Sequence, residues 1–352
     1  MGLRIVKPDT NINFIGLRKA AFALSALLII IGIISLVSKG GPRYGIDFSG
    51  GIIIQTKFVD QDIDIGNLKD GLDDIGLPGL VVQKFGMDQD NEYLIRTSED
   101  EISPEQVRDE VSSKLAELFP DNEFVIQRLE MVGPKVGADL RSNALEALFY
   151  AVLLIAIYIS GRFEQRWVTA AIMAGGLAVG VYFLKLFNTP MGFLIIAAML
   201  ITLGLCWYLK LNYALGAVVA LIHDVLITLG LFSLLNKEFD LSIVAAFLTI
   251  IGYSLNDTII VFDRIRENLR GKLSKSLKIT INKSINQTLS RTIMTSGTTL
   301  LVVLSLFFFG GGVIHNFAFA LLVGVLVGTY SSIYVASPVL LGFRPVEEGE
   351  EQ

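Results

Sequence analysis

The chain has 352 residues, 52% of them hydrophobic and 18% charged, with a formal charge of −5. Together with a mean hydropathy of +0.59, this excludes a soluble globule and describes a membrane protein that crosses the bilayer several times. Residues 39–141 hold 21 acidic and 11 basic side chains, a net of −10, so the remainder carries +5; an acidic exported domain joined to a basic membrane domain fits the positive-inside pattern.

The first apolar run, 17–38, follows Arg4, Lys7, Arg18 and Lys19. It is longer than the core of a signal peptide and no Ala-x-Ala site follows, so an uncleaved anchor is expected. Residues 39–141 then change rhythm. Gly45 to Phe58 reads as a strand, Ile65 to Ile75 as a short helix, and Leu80–Phe85 and Tyr93–Thr97 as strands joined by a turn at Gly86–Asp90. Ser103-Pro104-Glu105-Gln106 is a helix start, with Ser as N-cap, Pro at the first position and Gln at the third. Phe124 to Met131 reads as a last strand. The order βαββαβ predicts a ferredoxin-like α+β domain.

Seven further apolar runs follow, at 142–160, 167–186, 191–209, 213–235, 241–262, 292–309 and 313–341. Each is close to the ~20 residues a span requires, which predicts a polytopic α-helical membrane protein of about eight spans. With eight spans, Arg162, Arg166, Lys210, the basic residues of 263–291 and Arg344 share one side, the cytoplasmic one; Lys185 and Lys237 are exceptions. Both termini are then inside and 39–141 outside. The segments are a cytoplasmic start and first span (1–38), an exported domain (39–141), a helical bundle (142–341) and an acidic tail (342–352). The basic stretch 263–291 interleaves Leu273, Leu277, Ile279, Ile281 and Ile285, which suits a helix lying on the inner membrane surface. Gly176-x-x-x-Gly180 and Gly324-x-x-x-Gly328 suit close helix packing.

Asp257 lies inside the apolar run 241–262. A charge at that depth costs roughly 2.5–3.5 kcal/mol on insertion scales, so its presence calls for a reason. A carboxylate that is neutral in lipid and ionised in a polar cleft can carry a proton; the bland alternative is a carboxylate that only hydrogen-bonds a neighbour. Asn256 beside it is a hydrogen-bond partner or a packing group. In the next span Arg291, Thr295, Thr298, Thr299, Val302 and Ser305 recur at helical spacing as one stripe; the alternative is an interfacial Arg with hydroxyls bonded to their own helix. His223 and Asp224 form the deepest ionisable pair, a second relay element or a structural bond between helices. His315 reads as interfacial. Cys206 is the only cysteine, so no internal disulfide is possible. No phosphate-binding Gly-rich motif, no metal-spaced Cys/His cluster and no nucleophile motif occurs. No cofactor, metal, nucleic acid or enzymatic activity is expected, and directed work would draw on a partner or an ion gradient.

Several motifs together resemble one family. Tyr44-Gly45-Ile46-Asp47-Phe48-Ser49-Gly50-Gly51, Val132-Gly133-Pro134-Lys135-Val136-Gly137, His223-Asp224-Val225, Ile251 to Thr258 running on to Asp263–Leu269, and Arg291–Ser296 are similar to the signatures of the SecF family of protein-export membrane subunits. The resemblance implies a resistance-nodulation-division fold in the inner membrane of a bacterial cell. It implies SecD as partner, the SecYEG channel with SecA, YajC as an additional contact, a preprotein client, membrane lipids, and protons as the coupling ion. It assigns proton transport to Asp257, with Asn256 beside it, and to Arg291 and Thr295, leaving His223 and Asp224 as the secondary relay candidates read from their depth, and it marks a signature loop at Gly45, Asp47, Gly50 and Gly51. Gly45, Gly50 and Gly51 would permit a tight backbone at the root of the exported domain. Members of the family usually have six spans; here 167–209 stands as a two-span insertion. A small-molecule or lipid exporter of the same superfamily, or a non-energised scaffold, are the competing readings.

Overall fold

The computed structural model describes residues 10–59, 63–86, 91–98, 102–164, 167–186, 191–271 and 276–342. Arg4, Lys7, the turn residues 87–90, Arg166, the hinge 187–190, Lys272, Lys275 and the tail from 343 lie outside them.

Helix α1 (Arg18–Ser38) leads into a short helical turn, α2 (Ile46–Ser49), and then β1 (Gly51–Phe58), α3 (Ile65–Asp73), β2 (Val81–Phe85), β3 (Glu92–Thr97), α4 (Pro104–Leu118) and β4 (Phe124–Val132). The chain order is the one the sequence predicts, except at the start. The expected strand from Gly45 does not form: Ile46–Ser49 is helical, and Gly50 and Gly51, with φ of 75° and 116°, turn the chain into β1. Only glycine takes such angles without strain. A Cβ on Gly51 would strike the Thr97 carbonyl oxygen, and one on Gly50 would sit 2.8 Å from the Pro134 Cα. The sheet order is β2-β3-β1-β4, every neighbouring pair antiparallel. One face of β1 (Ile52, Ile54, Phe58) is buried with Leu68 and Leu72 of α3 and Val107, Val111 and Leu115 of α4. The start of α4 is the capping box expected: Ser103 Oγ accepts from Gln106 N–H, and the Gln106 side chain accepts from Ser103 N–H, both at 3.3 Å.

The bundle follows: α5 (Pro134–Glu164), α6 (Trp167–Lys185), α7 (Met191–Tyr208), α8 (Asn212–Leu234), α9 (Leu241–Arg270), α10 (Leu277–Phe309) and α11 (Gly311–Ser331), the last continuing through a π-helical turn at Ser332–Ala336. Among the described residues six helices are long and apolar enough to cross a membrane: α1, α5, α8, α9, α10 and α11 with its continuation. Helices α6 and α7 form where the two-span insertion was expected, with shorter apolar stretches, Trp167–Gly180 and Ile196–Tyr208. They pack on each other, on α5 and on α8. Gly176 and Gly180 face Leu205 and Ile201 of α7. Helix α8 is the most buried span. It meets α1 most closely at Gly230, where an added Cβ would lie 2.8 Å from the Gly32 Cα.

The basic stretch 263–291 differs from expectation. It is not a separate surface helix: α9 runs 30 residues and α10 runs 33, about 45 and 50 Å at 1.5 Å per residue, beyond a hydrocarbon core of ~30 Å. Ile281 and Ile285 are fully buried in the same cluster as Ile265, with Leu277 packed against it, so these residues pair across a helical hairpin; Ile279 is exposed, and Leu273 lies outside the described residues. Asn268 Nδ2 donates to Ser284 Oγ (2.8 Å) and Gln287 Oε1 (2.9 Å), and Arg162 pairs with Asp263 at 2.8 Å. The buried part of the amphipathic face, at Ile281 and Ile285, is covered by another helix.

Candidate functional site: two buried carboxylates in the bundle

Asp257 stands 16 residues into α9, ~24 Å from its start, and is 1% exposed. On the α10 side of its two carboxylate oxygens, Ser296 Oγ donates to Oδ2 at 3.1 Å, and Thr295 Oγ1 stands 3.4 Å from Oδ1 while lying closer to its own helix at Thr292 O (3.0 Å) and Arg291 O (3.1 Å). Thr329 Oγ1 of α11 lies 2.7 Å from Ser296 Oγ. Thr295 therefore sits where the sequence placed it. Ser296 is the nearer donor, and it was missed. Arg291 is exposed, one helical turn before Thr295, close enough to influence Asp257 electrostatically, though no ion pair joins them among the described residues. Other members of the proposed stripe are occupied elsewhere: Thr298 and Ser305 bond their own helix at Met294 O (2.9 Å) and Leu301 O (3.0 Å), and Val302 is exposed. Asn256 is exposed, and among the described residues no hydrogen bond joins it to Asp257.

Asp224 is fully buried. Oδ1 lies 2.9 Å from His223 Nδ1, so these neighbours do touch despite their ~100° separation around the helix. Oδ2 accepts from Ser254 Oγ of α9 (2.5 Å) and Ser331 Oγ of α11 (2.9 Å). His223 Nε2 reaches Ser25 Oγ of α1 at 2.9 Å, and Ser25 Oγ lies 3.2 Å from Tyr330 Oη. Ser254 and Asp257 are three apart on α9 and share a face, so α9 presents both carboxylate networks to α11. Gly324 and Gly328 make this contact possible: a Cβ on Gly328 would lie 2.9 Å from the Ser254 Cβ, and one on Gly324 would strike Ile250. The π turn that follows Ser331 adds an irregular backbone beside Asp224, a feature frequent at functional sites. Ser254, Ser296, Thr329 and Ser331 had sequence signals, namely a Ser at i−3 of the carboxylate, a Ser beside the predicted Thr, and a hydroxyl run after the small-residue motif.

The signature loop meets the same helix from outside. Asp47 Oδ2 accepts from Leu241 N–H (2.9 Å), and the N-cap Asp240 accepts from Ile243 N–H (3.0 Å). Two carboxylates thus serve the free donors that begin α9. Gly45 N–H donates to Phe239 O (3.0 Å), and Arg96 donates to Tyr44 O (2.8 Å) and Ser49 Oγ (2.6 Å). Arg43 and Arg96 each approach Glu238 at 3.6 Å. Lys237, an exception to the charge pattern, is drawn in: its ammonium donates to Asn316 Oδ1 (3.0 Å) and lies 4.8 Å from the Phe319 ring centroid, and burial pushes its pKa below the ordinary lysine value. His315 stacks on Phe307, centroids 4.3 Å apart, at the start of α11.

The fold and site define a class: a multi-pass helical membrane protein with a small sheet domain rooted on one end of the bundle and buried carboxylates within it. The chain belongs to the SecF family of protein-export membrane proteins. It matches the family described as "Protein export membrane protein SecD/SecF, C-terminal" over residues 110–205 and 179–345, the two matches overlapping within the inserted spans, and the "SecD/SecF GG Motif" over 34–61. It is similar to the protein translocase subunit SecF of Calditerrivibrio nitroreducens, 41% identical over 95% of this chain and 95% of the relative, and to that of Desulfurispirillum indicum, 42% identical over 95% and 92%. Among solved structures it is similar to SecDF, a translocon-associated membrane protein from Thermus thermophilus, at a TM-score of 0.67 and 32% identity. That match covers 95% of this chain and 39% of the SecDF chain.

Proposed function

We propose that the chain works as the SecF subunit of a SecD–SecF assembly in protein translocation, and that it couples the proton gradient to export through Asp257. The family membership and the similarity to SecDF support the translocation role and the SecD partner. The SecYEG channel with SecA, and YajC, are the further partners this reading adds, in the bacterial inner membrane with both termini inside. One observation carries the coupling: a carboxyl deep in an apolar helix whose bonded side chains, among the described residues, are the hydroxyls of Thr295 and Ser296. Hydroxyls accept or donate, so they serve both the neutral acid and the carboxylate. Arg291, one turn away, supplies a charge that favours the ionised form when near and releases it when far. A proton crossing the membrane makes ~2.3 kcal/mol available per 100 mV. Asp224 with His223 holds α1, α8, α9 and α11 together and is the supporting element.

The test is an Asp257→Asn substitution, nearly isosteric and unable to ionise. In vesicles containing the assembled complex, export by the variant is expected to lose its dependence on the proton gradient while its residual rate persists. Unchanged export with unchanged gradient dependence would remove the relay role from Asp257.

A further inference from the structure

An apolar slot of about 230 Å³ runs through the membrane part of the bundle, away from both carboxylates. Its wall on α5 is formed at Arg141, Ala144, Leu145, Leu148 and Val152, one continuous helical face ending at Leu153. That face is ~18 Å long at 1.5 Å per residue, close to one leaflet of a hydrocarbon core ~30 Å thick. Val225 of α8 and Phe247 of α9 line the core side. Ala198 and Thr202 of α7 line the other, so the second inserted helix closes the slot. At the end nearest the sheet domain, Tyr44, Phe48 and Phe239 form the roof. There the Arg141 guanidinium stands 5.4 Å from the Tyr44 ring centroid, exposed and without a carboxylate partner among the described residues.

We propose that this slot holds one acyl chain of a membrane phospholipid from the leaflet on the sheet-domain side, with the phosphate on Arg141. Three features select that occupant. The lining is apolar and lies at membrane depth, where lipid is the neighbouring solvent. The volume is spread so thinly along its length that a helix, ~10 Å across, does not fit and a single alkyl chain does. An unpaired guanidinium at the mouth matches a phosphate, for which its planar fork is suited. The consequence reaches the exported domain: Phe48 roofs the slot from the same turn, Ile46–Ser49, that precedes β1, so an acyl chain beneath it supports the root of that domain. The inserted helix α7, which the carboxylate site does not use, gains a role as the slot's outer wall.

The full chain is placed in nanodiscs of phosphatidylethanolamine and phosphatidylglycerol, doped with phosphatidylglycerol that carries a photoreactive diazirine at the end of one acyl chain. After illumination the labelled residues are mapped by peptide mass spectrometry. The expected result is label on Ala198 and Leu221, buried residues that surrounding lipid does not reach, in addition to exposed Leu27 and Ile34. Leu148→Trp, which fills the slot, is expected to remove the first set and leave the second. Arg141→Ala is expected to weaken slot labelling and Arg141→Lys to preserve it. Label confined to Leu27, Ile34 and other exposed positions in the wild-type chain overturns the proposal without any variant. Slot labelling that persists in Leu148→Trp overturns it too, and labelling unchanged in Arg141→Ala overturns the phosphate contact.

Discussion

Asp224 and Asp257 are both buried carboxylates in neighbouring helices, yet their surroundings differ in kind. Asp224 is bonded on both oxygens from three helices, with His223, Ser254 and Ser331 as partners. Such a saturated carboxylate locks packing. Among the described residues Asp257 has two hydroxyl contacts, one of them long, both from α10. A group held this loosely can exchange a proton when α10 shifts. Ser296 is therefore the side chain whose loss should matter most after Asp257 itself. Ser296→Ala removes the closer donor to Asp257 and the contact with Thr329, at a cost of about 1–3 kcal/mol for a buried group left unsatisfied; gradient-driven export is expected to fall well below wild type. Thr298→Ala, whose hydroxyl bonds its own helix, is expected to leave export unchanged, and parallel transport assays on the two variants check the contrast. Asp257 was legible because one carboxylate in an apolar run has a high cost and few explanations. Ser296 was not, because hydroxyls inside membrane helices commonly bond back to their own turn, and only packing tells which one turns outward.

Helix α9 is the element that joins the parts. Its start is capped by Asp47 of the signature loop, its middle carries Ser254 and Asp257, and its end pairs with α10 beyond the membrane. Any movement of the sheet domain's root is thus applied directly to the helix that bears the carboxyl. Removing the outer cap by Asp47→Ala is expected to lower stability by about 0.5–2 kcal/mol, the usual worth of a capping side chain, while Asp47→Asn, which keeps an acceptor oxygen, retains most of it; thermal unfolding of the two purified variants measures the difference. The sequence made the Gly45–Gly51 loop conspicuous and assigned it a tight backbone. It did not reveal that Ile46–Ser49 would coil. Ile46 and Phe48 alternate like strand residues, and what decides is tertiary: Ile46 is buried on the second face of the sheet, and Phe48 against Ala144 and Val244. The hairpin 263–291 departs from the expected surface helix for a related reason. Amphipathic spacing says that one face is apolar, not what covers it.

At the scale of the whole molecule, the charge asymmetry becomes a spatial one. The acidic domain sits at the end of the bundle marked by Asp47 and Lys237, and the basic α9–α10 hairpin lies at the opposite end, where Ile12 N–H donates to Asn286 Oδ1 at 2.8 Å. This arrangement predicts a topology that a membrane-impermeant thiol reagent reads directly. Since Cys206 is the only cysteine and is buried, a Ser113→Cys variant is expected to react in spheroplasts and a Glu267→Cys variant only after permeabilisation. The order of helices and strands was legible because hydrophobic period and cap chemistry are local. The joining of two carboxylate networks across α9 and α11 was not, because it depends on how closely Gly324 and Gly328 let two helices approach. The account as a whole rests on Asp257 changing its protonation when the membrane is energised. Infrared difference spectroscopy on the assembled complex, with and without a proton gradient, measures that change through the carboxylic acid C=O stretch. The prediction is a gradient-dependent band that is present in the wild-type complex and absent in Asp257→Asn. A band that survives the substitution, or no gradient-dependent carboxyl signal at all, would contradict it.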